Sequence, residues 1–305
     1  MAIKDVTVTI NGSTVTLTDN GDGTYSKTLT APTKTSYNIN AGHYYPVTIV
    51  ATNMANTSTT IDDTHASLGE YCRLKVREIT APTISISSPT SGQYFGVATP
   101  EFQFTVVDEA NGSGVAITTL EILLDGTKYT NTSNGVTVTS ITNGYDIKFK
   151  PSTALVDGTH KFQVTVKDND NNVATSNEVS FITDTIAPVL NVTNPSTNGT
   201  FTSESTLTVT GTASDSTSGT PTVSIKVNNN SAQSVTVSNG SFSKVVTLTN
   251  GENTIVVTAT DKVGKTTTIT RTIILDTSSP VIASVSITPN PVNVGGSYTV
   301  TVTVS

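Results

Sequence analysis

The chain is built from short runs in which apolar and polar residues alternate, and turn-forming dipeptides separate these runs. Side chains on a β-strand point alternately to its two faces, so each run predicts a strand with one buried face. Residues 6–10, for example, alternate valine and isoleucine with threonine and end at Asn11-Gly12. Asn-Gly favours a two-residue hairpin turn because both turn residues need positive φ. No run has helical spacing of useful length, so the sequence predicts an all-β protein.

A repeat divides the chain into modules. Several residues of one module recur 93 positions later (251 − 158) in the next. The matched pairs are Gly158 and Gly251, Val164 and Val257, Val166 and Ala259, and Asp168 and Asp261. Similar junctions precede the modules: EITAP at 78–82, DTIAP at 184–188 and DTSSP at 276–280. Modules near 100 residues with about seven short strands predict two-sheet sandwiches.

The junctions predict four segments. Residues 1–80 form a β-rich module, and residues 81–185 and 186–277 form two sandwiches. Residues 278–305 hold only two strands, so they are expected to be a partial module or a strand-exchange tail. Such a piece either folds onto the preceding module, pairs with another chain through its exposed edge, or is disordered.

Bulk composition excludes several classes of function. The formal net charge is −7, and charged residues make up 13% of the chain, against about 25% in ordinary domains. A phosphate backbone needs clustered Lys and Arg, so nucleic acid is not an expected partner. No apolar stretch of about 18 residues occurs, so no membrane span is expected. Cys72 is the only cysteine, which excludes an internal disulfide and favours a small buried side chain.

The ends of the predicted sandwiches resemble bacterial Ig-like domains. The resemblance lies in VTVKDNDNN at 164–172, VVTATDKVGK at 256–265, and the DTIAP and DTSSP junctions. It covers residues 81–277 well, residues 278–305 as a fragment and residues 1–80 loosely. It implies tandem Ig-like β-sandwiches, three modules followed by a partial C-terminal module. Function is left open, because this family serves adhesins, glycan-active enzymes and phage virions.

The start of the chain runs directly into a strand pattern and shows no secretory signal. Ig-like modules without such a signal resemble those of tailed-phage structural proteins. We therefore expect a non-enzymatic structural or adhesive protein of a phage tail or phage-like particle, assembled in the host cytoplasm and located in the virion. Residues 1–80 would attach it to the particle. Expected partners are other tail or virion proteins, a host-surface glycan or protein, and a second copy through residues 278–305.

Two other functions remain open from the sequence. The first is a fragment of a cell-surface bacterial adhesin, which would be extracellular. The second is an accessory binding region of a glycan-active enzyme. No Gly-x-Ser-x-Gly elbow and no phosphate-binding loop occurs, so catalysis by this chain is not expected.

Acidic loop residues are candidate metal ligands. Asp168 and Asp170 lie in the DNDNN loop, Asp184 lies in the following junction, and Asp108 lies in a separate acidic loop. Ca²⁺ takes six to eight oxygen ligands from carboxylates and carbonyls in such loops. The spacing is loosely similar to that of the inter-module calcium sites of cadherins. Asp and Asn also stabilise loops by bonding their own backbone, so turn formation is the alternative. No other cofactor is expected.

The remaining polar candidates are weaker. The histidines, His43, His65 and His160, form no pair with metal-ligand spacing and are expected on the surface or in loops. Only His65 has close acidic neighbours, Asp62 and Asp63.

Two aromatic pairs are candidates for stacking on a sugar or contacting a protein. They are Tyr44 with Tyr45, and Tyr94 with Phe95. Packing within a sheet or core is the alternative, and it is favoured in a chain with so few aromatic residues.

Overall fold

The computed structural model, which describes residues 2–33, 36–39 and 43–305, confirms the all-β prediction. The chain divides into two compact units, Met1–Thr185 and Ile186–Ser305. Short 3₁₀ turns at Tyr37–Ile39 and Gly69–Cys72 interrupt the strands of the first unit.

The first 80 residues contain one main sheet and a two-stranded ribbon. The strands are β1 (Ile3–Ile10), β2 (Ser13–Thr16), β3 (Thr18–Asp19), β4 (Tyr25–Ser26), β5 (Tyr45–Asn53), β6 (Ser58–Ile61) and β7 (Arg73–Leu74). The main sheet has the order β2-β1-β5-β6, with β7 also beside β5, and β3 pairs with β4. Its core is small and centres on Val8, Val47 and Cys72. Cys72 is 2% exposed, as expected for a small buried side chain.

Residues 83–183 form a two-sheet sandwich. Its strands are β8 (Thr83–Ser88), β9 (Tyr94–Phe95), β10 (Phe102–Val107), β11 (Val115–Leu124), β12 (Thr127–Tyr129), β13 (Val136–Ile141), β14 (Gly144–Phe149), β15 (Gly158–Asp168), β16 (Val173–Thr175) and β17 (Val179–Thr183). One sheet has the order β13-β14-β10-β8. The other has the order β12-β11-β15-β17-β9, with β16 beside β15.

The core of this sandwich lies between the two sheets and is rich in phenylalanine. Alternate residues of β10 and β15 are buried, as their apolar–polar alternation predicts. Phe102 of β10 contacts Phe162 of β15 across the sandwich, with ring centroids 4.9 Å apart. Phe102 also contacts Phe181 of β17, at 5.1 Å. These contacts pack the first residue of β10 against β15 and β17.

Residues 189–275 form a second sandwich with the same strand connections. Its strands are β18 (Val189–Asn194), β19 (Thr200–Thr202), β20 (Thr206–Ser214), β21 (Thr222–Val227), β22 (Gln233–Val235), β23 (Val237–Ser238), β24 (Ser241–Thr247), β25 (Gly251–Thr260) and β26 (Thr266–Leu275). The sheet orders are β18-β20-β24-β23 and β19-β26-β25-β21-β22. Each sheet matches one in the preceding sandwich, so the repeat in the sequence corresponds to a repeated fold.

The last described strands form a separate hairpin. β27 (Ile282–Thr288) and β28 (Thr299–Val304) pair antiparallel with each other, and the structure describes no third strand in their sheet. Every residue of both strands is exposed.

Backbone geometry confirms the hairpin turn predicted at Asn11-Gly12. Asn11 and Gly12 both have positive φ, at 47° and 74°. Asn239 and Gly240 repeat this pattern at 50° and 75°. Positive φ at both central residues matches the right-handed twist of the flanking strands.

Candidate metal site

Three carboxylates from separate segments meet at one end of the sandwich formed by residues 83–183. Asp108 directly follows β10, Asp168 is the last residue of β15, and Glu78 lies between β7 and β8. Each side chain has one carboxylate oxygen that lies within 4.8 Å of a carboxylate oxygen of each of the other two side chains. We call Glu78, Asp108 and Asp168 the acidic cluster. The packed strands β10 and β15 place two of its members.

Nearby loops fix the orientation of two of these carboxylates. Asp168 accepts hydrogen bonds from the backbone N–H of Asn172 at 2.8 Å and from its side-chain amide at 2.7 Å. Glu78 Oε2 accepts from the Thr80 N–H at 2.7 Å, and Oε1 accepts from the Ser113 hydroxyl at 3.1 Å. The amide of Asn172 also donates to the Glu78 backbone carbonyl at 3.1 Å. The loop after β15 therefore holds the two acids together.

Asp108 is buried and has one unsatisfied oxygen. The residue is 3% exposed, and Oδ2 accepts from the Gly114 N–H at 2.6 Å. Oδ1 is buried and accepts no hydrogen bond from the part of the chain that the structure describes. The loop packs closely here, because a Cβ on Gly112 would lie 2.6 Å from Asp108 Oδ2. A buried carboxylate oxygen without a partner is costly unless a proton or a cation lies beside it.

Burial and mutual repulsion disfavour the charged forms of these acids. No ion pair between described residues includes Glu78, Asp108 or Asp168. Burial, together with a hydrogen bond to Asp168, raises the pKa of Glu78 to about 7. Burial also raises the pKa values of Asp108 and of the adjacent Glu109. Near neutral pH the acidic cluster therefore holds a proton unless a cation takes its place.

A groove of about 490 Å³ opens beside the acidic cluster. Its lining includes Pro32 and Glu78 from the first 80 residues, and Glu109 and Asn111 from the loop after β10. A metal site needs such a path from solvent to its ligands.

Asp170 lies next to the acidic cluster but has other partners. Its carboxylate accepts hydrogen bonds from the Ser36 hydroxyl at 2.7 Å, the Glu78 N–H at 2.8 Å and the side-chain amide of Asn38. Ser36 and Asp170 are both buried. Asp170 thus connects residues 36–39 to the sandwich of residues 83–183 within the first unit.

Asp184 lies at the opposite end of the same sandwich. Thr183 pairs with Gly158, the first residue of β15, whereas Asp168 is the last residue of that strand. A strand of this length separates the two ends by roughly 30 Å. Asp168 and Asp184 therefore cannot bind one ion within this unit.

Of the four acids predicted as calcium ligands, the structure brings together Asp108 and Asp168. Glu78 was not among the predicted ligands. A signal for it was present, because Glu78 opens the EITAP junction and occupies the place that Asp184 has in DTIAP. The EITAP junction precedes the sandwich, and its Glu78 lies at the end of the sandwich where β10 and β15 end.

The histidines are accounted for by local structure. His43 and His65 are exposed, as expected, and His65 Nδ1 accepts from two backbone N–H groups of its own loop at 3.3 Å. His160 was expected on the surface but is 4% exposed. Its Nδ1 lies 2.6 Å from Asp125 Oδ2, and its Nε2 lies 2.8 Å from the Val156 carbonyl oxygen. These bonds satisfy both ring nitrogens and allow the ring to be buried.

The candidate aromatic residues mainly serve packing. Tyr45 is 4% exposed, and Phe95 packs edge-on against Phe181 at 5.6 Å. Tyr44 donates its hydroxyl to Asp63 Oδ2 at 2.6 Å. Since Tyr44 is half-buried and held in place, it offers little free ring surface for a sugar.

No helix among the described residues is long and apolar enough to cross a membrane.

Family models match two parts of the chain. Residues 82–164 match a bacterial Ig domain, and residues 188–277 match a domain described as glucodextranase, domain B. No curated protein sequence matches the chain significantly.

Three of the solved structures that match the chain share 12–20% sequence identity with it. Fibronectin(III)-like modules of Clostridium thermocellum CbhA share 18% identity, with 64% of this chain and 94% of theirs covered and a TM-score of 0.38. A bacterial ice-binding adhesin shares 20% identity, with 89% and 86% covered and a TM-score of 0.33. Extracellular domains 3–5 of Drosophila OTK share 12% identity, with 89% and 85% covered and a TM-score of 0.35. The two sandwiches with matching sheet orders, together with the two family-model matches, make the chain an all-β protein of tandem Ig-like modules, a type of domain that is typically non-catalytic.

Proposed function

We propose that this chain is a non-enzymatic structural and adhesive protein of a phage tail or phage-like particle. Residues 1–80 attach it to other tail or virion proteins, and the two sandwiches contact a glycan or protein on the host surface. The match of residues 82–164 to a bacterial Ig domain supports a binding or structural role. The assignment to a particle rests on an apolar surface of residues 278–305.

The observation that carries the proposal is an apolar face on the hairpin of β27 and β28. Residues opposite each other in an antiparallel pair point to the same face. Three such pairs bring apolar side chains together, and these are Ile282 with Val304, Val285 with Val302, and Ile287 with Val300. Each of the six is between 44% and 64% exposed. Full burial of such a side chain contributes roughly 1.5–3 kcal/mol, so covering this face stabilises an assembly by several kcal/mol.

A second copy of the chain is the occupant that fits this surface. Val300, Val302 and Val304 alternate with threonine along β28. Two copies of β28 paired antiparallel about Val302 place Val300 of one copy opposite Val304 of the other. This register keeps every valine on one face and pairs the free edge of each β28 with its copy. Packing two such joined sheets face to face then covers the apolar side chains. Self-association through residues 278–305 is what a structural subunit of a particle requires.

The self-association is tested by light scattering on the full chain. The native protein is expected to be a dimer or larger, and Val302→Lys is expected to be monomeric. Val245→Lys is the matched control, because Val245 is a 61% exposed strand valine outside the hairpin. A native protein that stays monomeric, or equal disruption by both variants, would reject assembly through the hairpin.

The location is tested by immunogold labelling of negatively stained lysates from the producing cells. Label on tails or tail-like particles is the expected result. Label restricted to the cell envelope would reject the particle and favour the alternative, a cell-surface adhesin fragment. That alternative rests on the same bacterial Ig match.

The match of residues 188–277 to glucodextranase domain B favours a third candidate, an accessory glycan-binding region of an enzyme. A glycan array distinguishes it from the others. Selective binding to α-glucans would favour the accessory role, whereas binding to bacterial envelope glycans supports host attachment.

A further inference from the structure

We propose that the acidic cluster of Glu78, Asp108 and Asp168 binds Ca²⁺, and that the bound ion fastens residues 36–39 to the sandwich of residues 83–183. This inference does not depend on whether the protein belongs to a particle or a cell surface. It uses residues of the first unit alone.

The chemistry of the donors selects a hard cation. All three side chains are carboxylates, and within the described part of the chain neither histidine nor cysteine joins the cluster. Hard oxygen donors suit Ca²⁺ and Mg²⁺, whereas zinc sites use mainly nitrogen and sulfur. Calcium accepts irregular geometry and long ligand distances, but magnesium demands a near-ideal octahedron. Three carboxylates fixed by different loops favour calcium.

The unsatisfied oxygen of Asp108 is the group whose bonding a cation would complete. Asp168 is 1% exposed and has hydrogen bonds to both oxygens, and Glu78 also has both oxygens bonded. Asp108 has only Oδ2 bonded, and its Oδ1 is buried without a partner among the described residues. One carboxylate oxygen of Asp108 lies within 4.8 Å of ligand oxygens of the other two acids. An ion bound here satisfies Oδ1 and cancels the repulsion among three acids that form no ion pair with a described basic residue.

A continuous set of hydrogen bonds links the acidic cluster to residues 36–39. The Ser113 hydroxyl donates to Glu78 Oε1 at 3.1 Å and accepts from the Asp170 N–H at 3.0 Å. The Glu78 N–H donates to Asp170 Oδ2, which also accepts from the Ser36 hydroxyl. Fixing Glu78 on an ion therefore also fixes Asp170, and Asp170 holds residues 36–39. Calcium binding and order at residues 36–39 are expected to strengthen each other.

The first test is isothermal titration of the full chain with CaCl₂ after chelation. Asp108→Asn is expected to weaken one binding event at least tenfold. Asp146→Asn is the matched control, since Asp146 lies in the same sandwich and bonds Gln103 instead of the cluster. Identical titrations for Asp108→Asn and the native protein would overturn the site.

The second test measures hydrogen exchange with and without calcium, and it separates binding from misfolding. In the native protein and in Asp146→Asn, 1 mM CaCl₂ is expected to slow exchange at residues 36–39 and 108–114. In Asp108→Asn the same peptides are expected to show no response. That variant removes a repelling charge, so its melting temperature in EDTA is expected to equal or exceed that of the native protein.

Each alternative outcome has a clear meaning. Protection by MgCl₂ equal to that by CaCl₂ would overturn the choice of calcium. Protection at 108–114 without any change at 36–39 would overturn the fastening role. Melting of Asp108→Asn well below the native protein in EDTA would show that its charge is needed for folding, and would contradict the repulsion on which the proposal rests.

Discussion

Replacing Asn253 with alanine is expected to destabilise the sandwich of residues 189–275. Asn253 is 0% exposed, and its amide uses all of its hydrogen-bonding capacity. Nδ2 donates to the carbonyls of Thr249 at 2.7 Å and Gly251 at 3.0 Å. Oδ1 accepts from the Thr249 N–H at 2.9 Å, the Thr249 hydroxyl at 3.1 Å and the Asn228 amide at 3.0 Å. One side chain therefore holds the turns before β25 and after β21.

The magnitude follows from these five bonds. A hydrogen bond contributes about 0.5–1.5 kcal/mol net. Thr249 is exposed, so water replaces part of what it loses in Asn253→Ala. We therefore assign each of the five bonds a value near the lower end of that range and add a small cost for the cavity that the truncated side chain leaves. The free energy of unfolding is expected to fall by about 2–4 kcal/mol. For a module of this size the melting temperature falls by roughly 10–25 °C.

Differential scanning calorimetry of the full chain measures this loss, and hydrogen exchange of peptides from β25 and β26 assigns the affected transition. Glu252→Ala is the matched control, because Glu252 is the exposed neighbour on the same strand and is expected to change stability by less than about 0.5 kcal/mol. Equal transitions for the two variants would refute the role assigned to Asn253.

Three further predictions follow from other contacts. In Gly211→Ala the new Cβ would lie 2.2 Å from the Asn191 carbonyl oxygen and 2.4 Å from the Phe242 ring, so calorimetry should show a loss of about 1–3 kcal/mol; unchanged stability would contradict this close packing. In EDTA the melting temperature of the first unit should fall as pH rises from 4.5 to about 7. The pKa of Glu78 is raised in the folded state, so the folded protein binds this proton more tightly than the unfolded chain does and loses that advantage as the proton dissociates. Glu78→Gln should flatten that profile, and an equally steep profile would assign it to other groups. Asp170→Ala should speed hydrogen exchange at residues 36–39, since three hydrogen bonds to its carboxylate are lost; unchanged exchange would mean that other contacts hold this segment.

Strands and turns were predictable from the sequence because they depend on local rules. Alternating apolar residues in β10 and β15 determine which face is buried, and the Asn-Gly pairs at 11–12 and 239–240 adopt positive φ at both residues. The repeat at 93 residues then predicted two similar sandwiches. None of these inferences needed contacts between distant residues.

The acidic cluster was only partly predictable because its members come from distant segments. Asp108 and Asp168 each end a buried strand, and that feature is visible in the sequence. The direction of the strands determines which junction lies beside Asp108 and Asp168. β15 and β17 are antiparallel, so the junction after β17 returns to the start of β15, which excludes Asp184. The preceding junction lies at the other end, and it supplies Glu78.

Buried polar residues were not predictable at all from local pattern. His160 and Asn253 occupy equivalent places, two residues after Gly158 and Gly251, and both are buried with their polar atoms bonded. The partners of Asn253 lie just before and at the start of its own strand, β25, and just after the neighbouring strand, β21. Only the folded arrangement shows that such a residue can be buried without an unsatisfied group.

A crystal structure of the full chain grown with calcium tests the central claim most directly, through anomalous difference density. We predict a peak about 2.3–2.6 Å from carboxylate oxygens of Glu78, Asp108 and Asp168, with residues 36–39 hydrogen-bonded to Asp170. The absence of a peak there at saturating calcium, with the three carboxylates still within contact of one another, would contradict it.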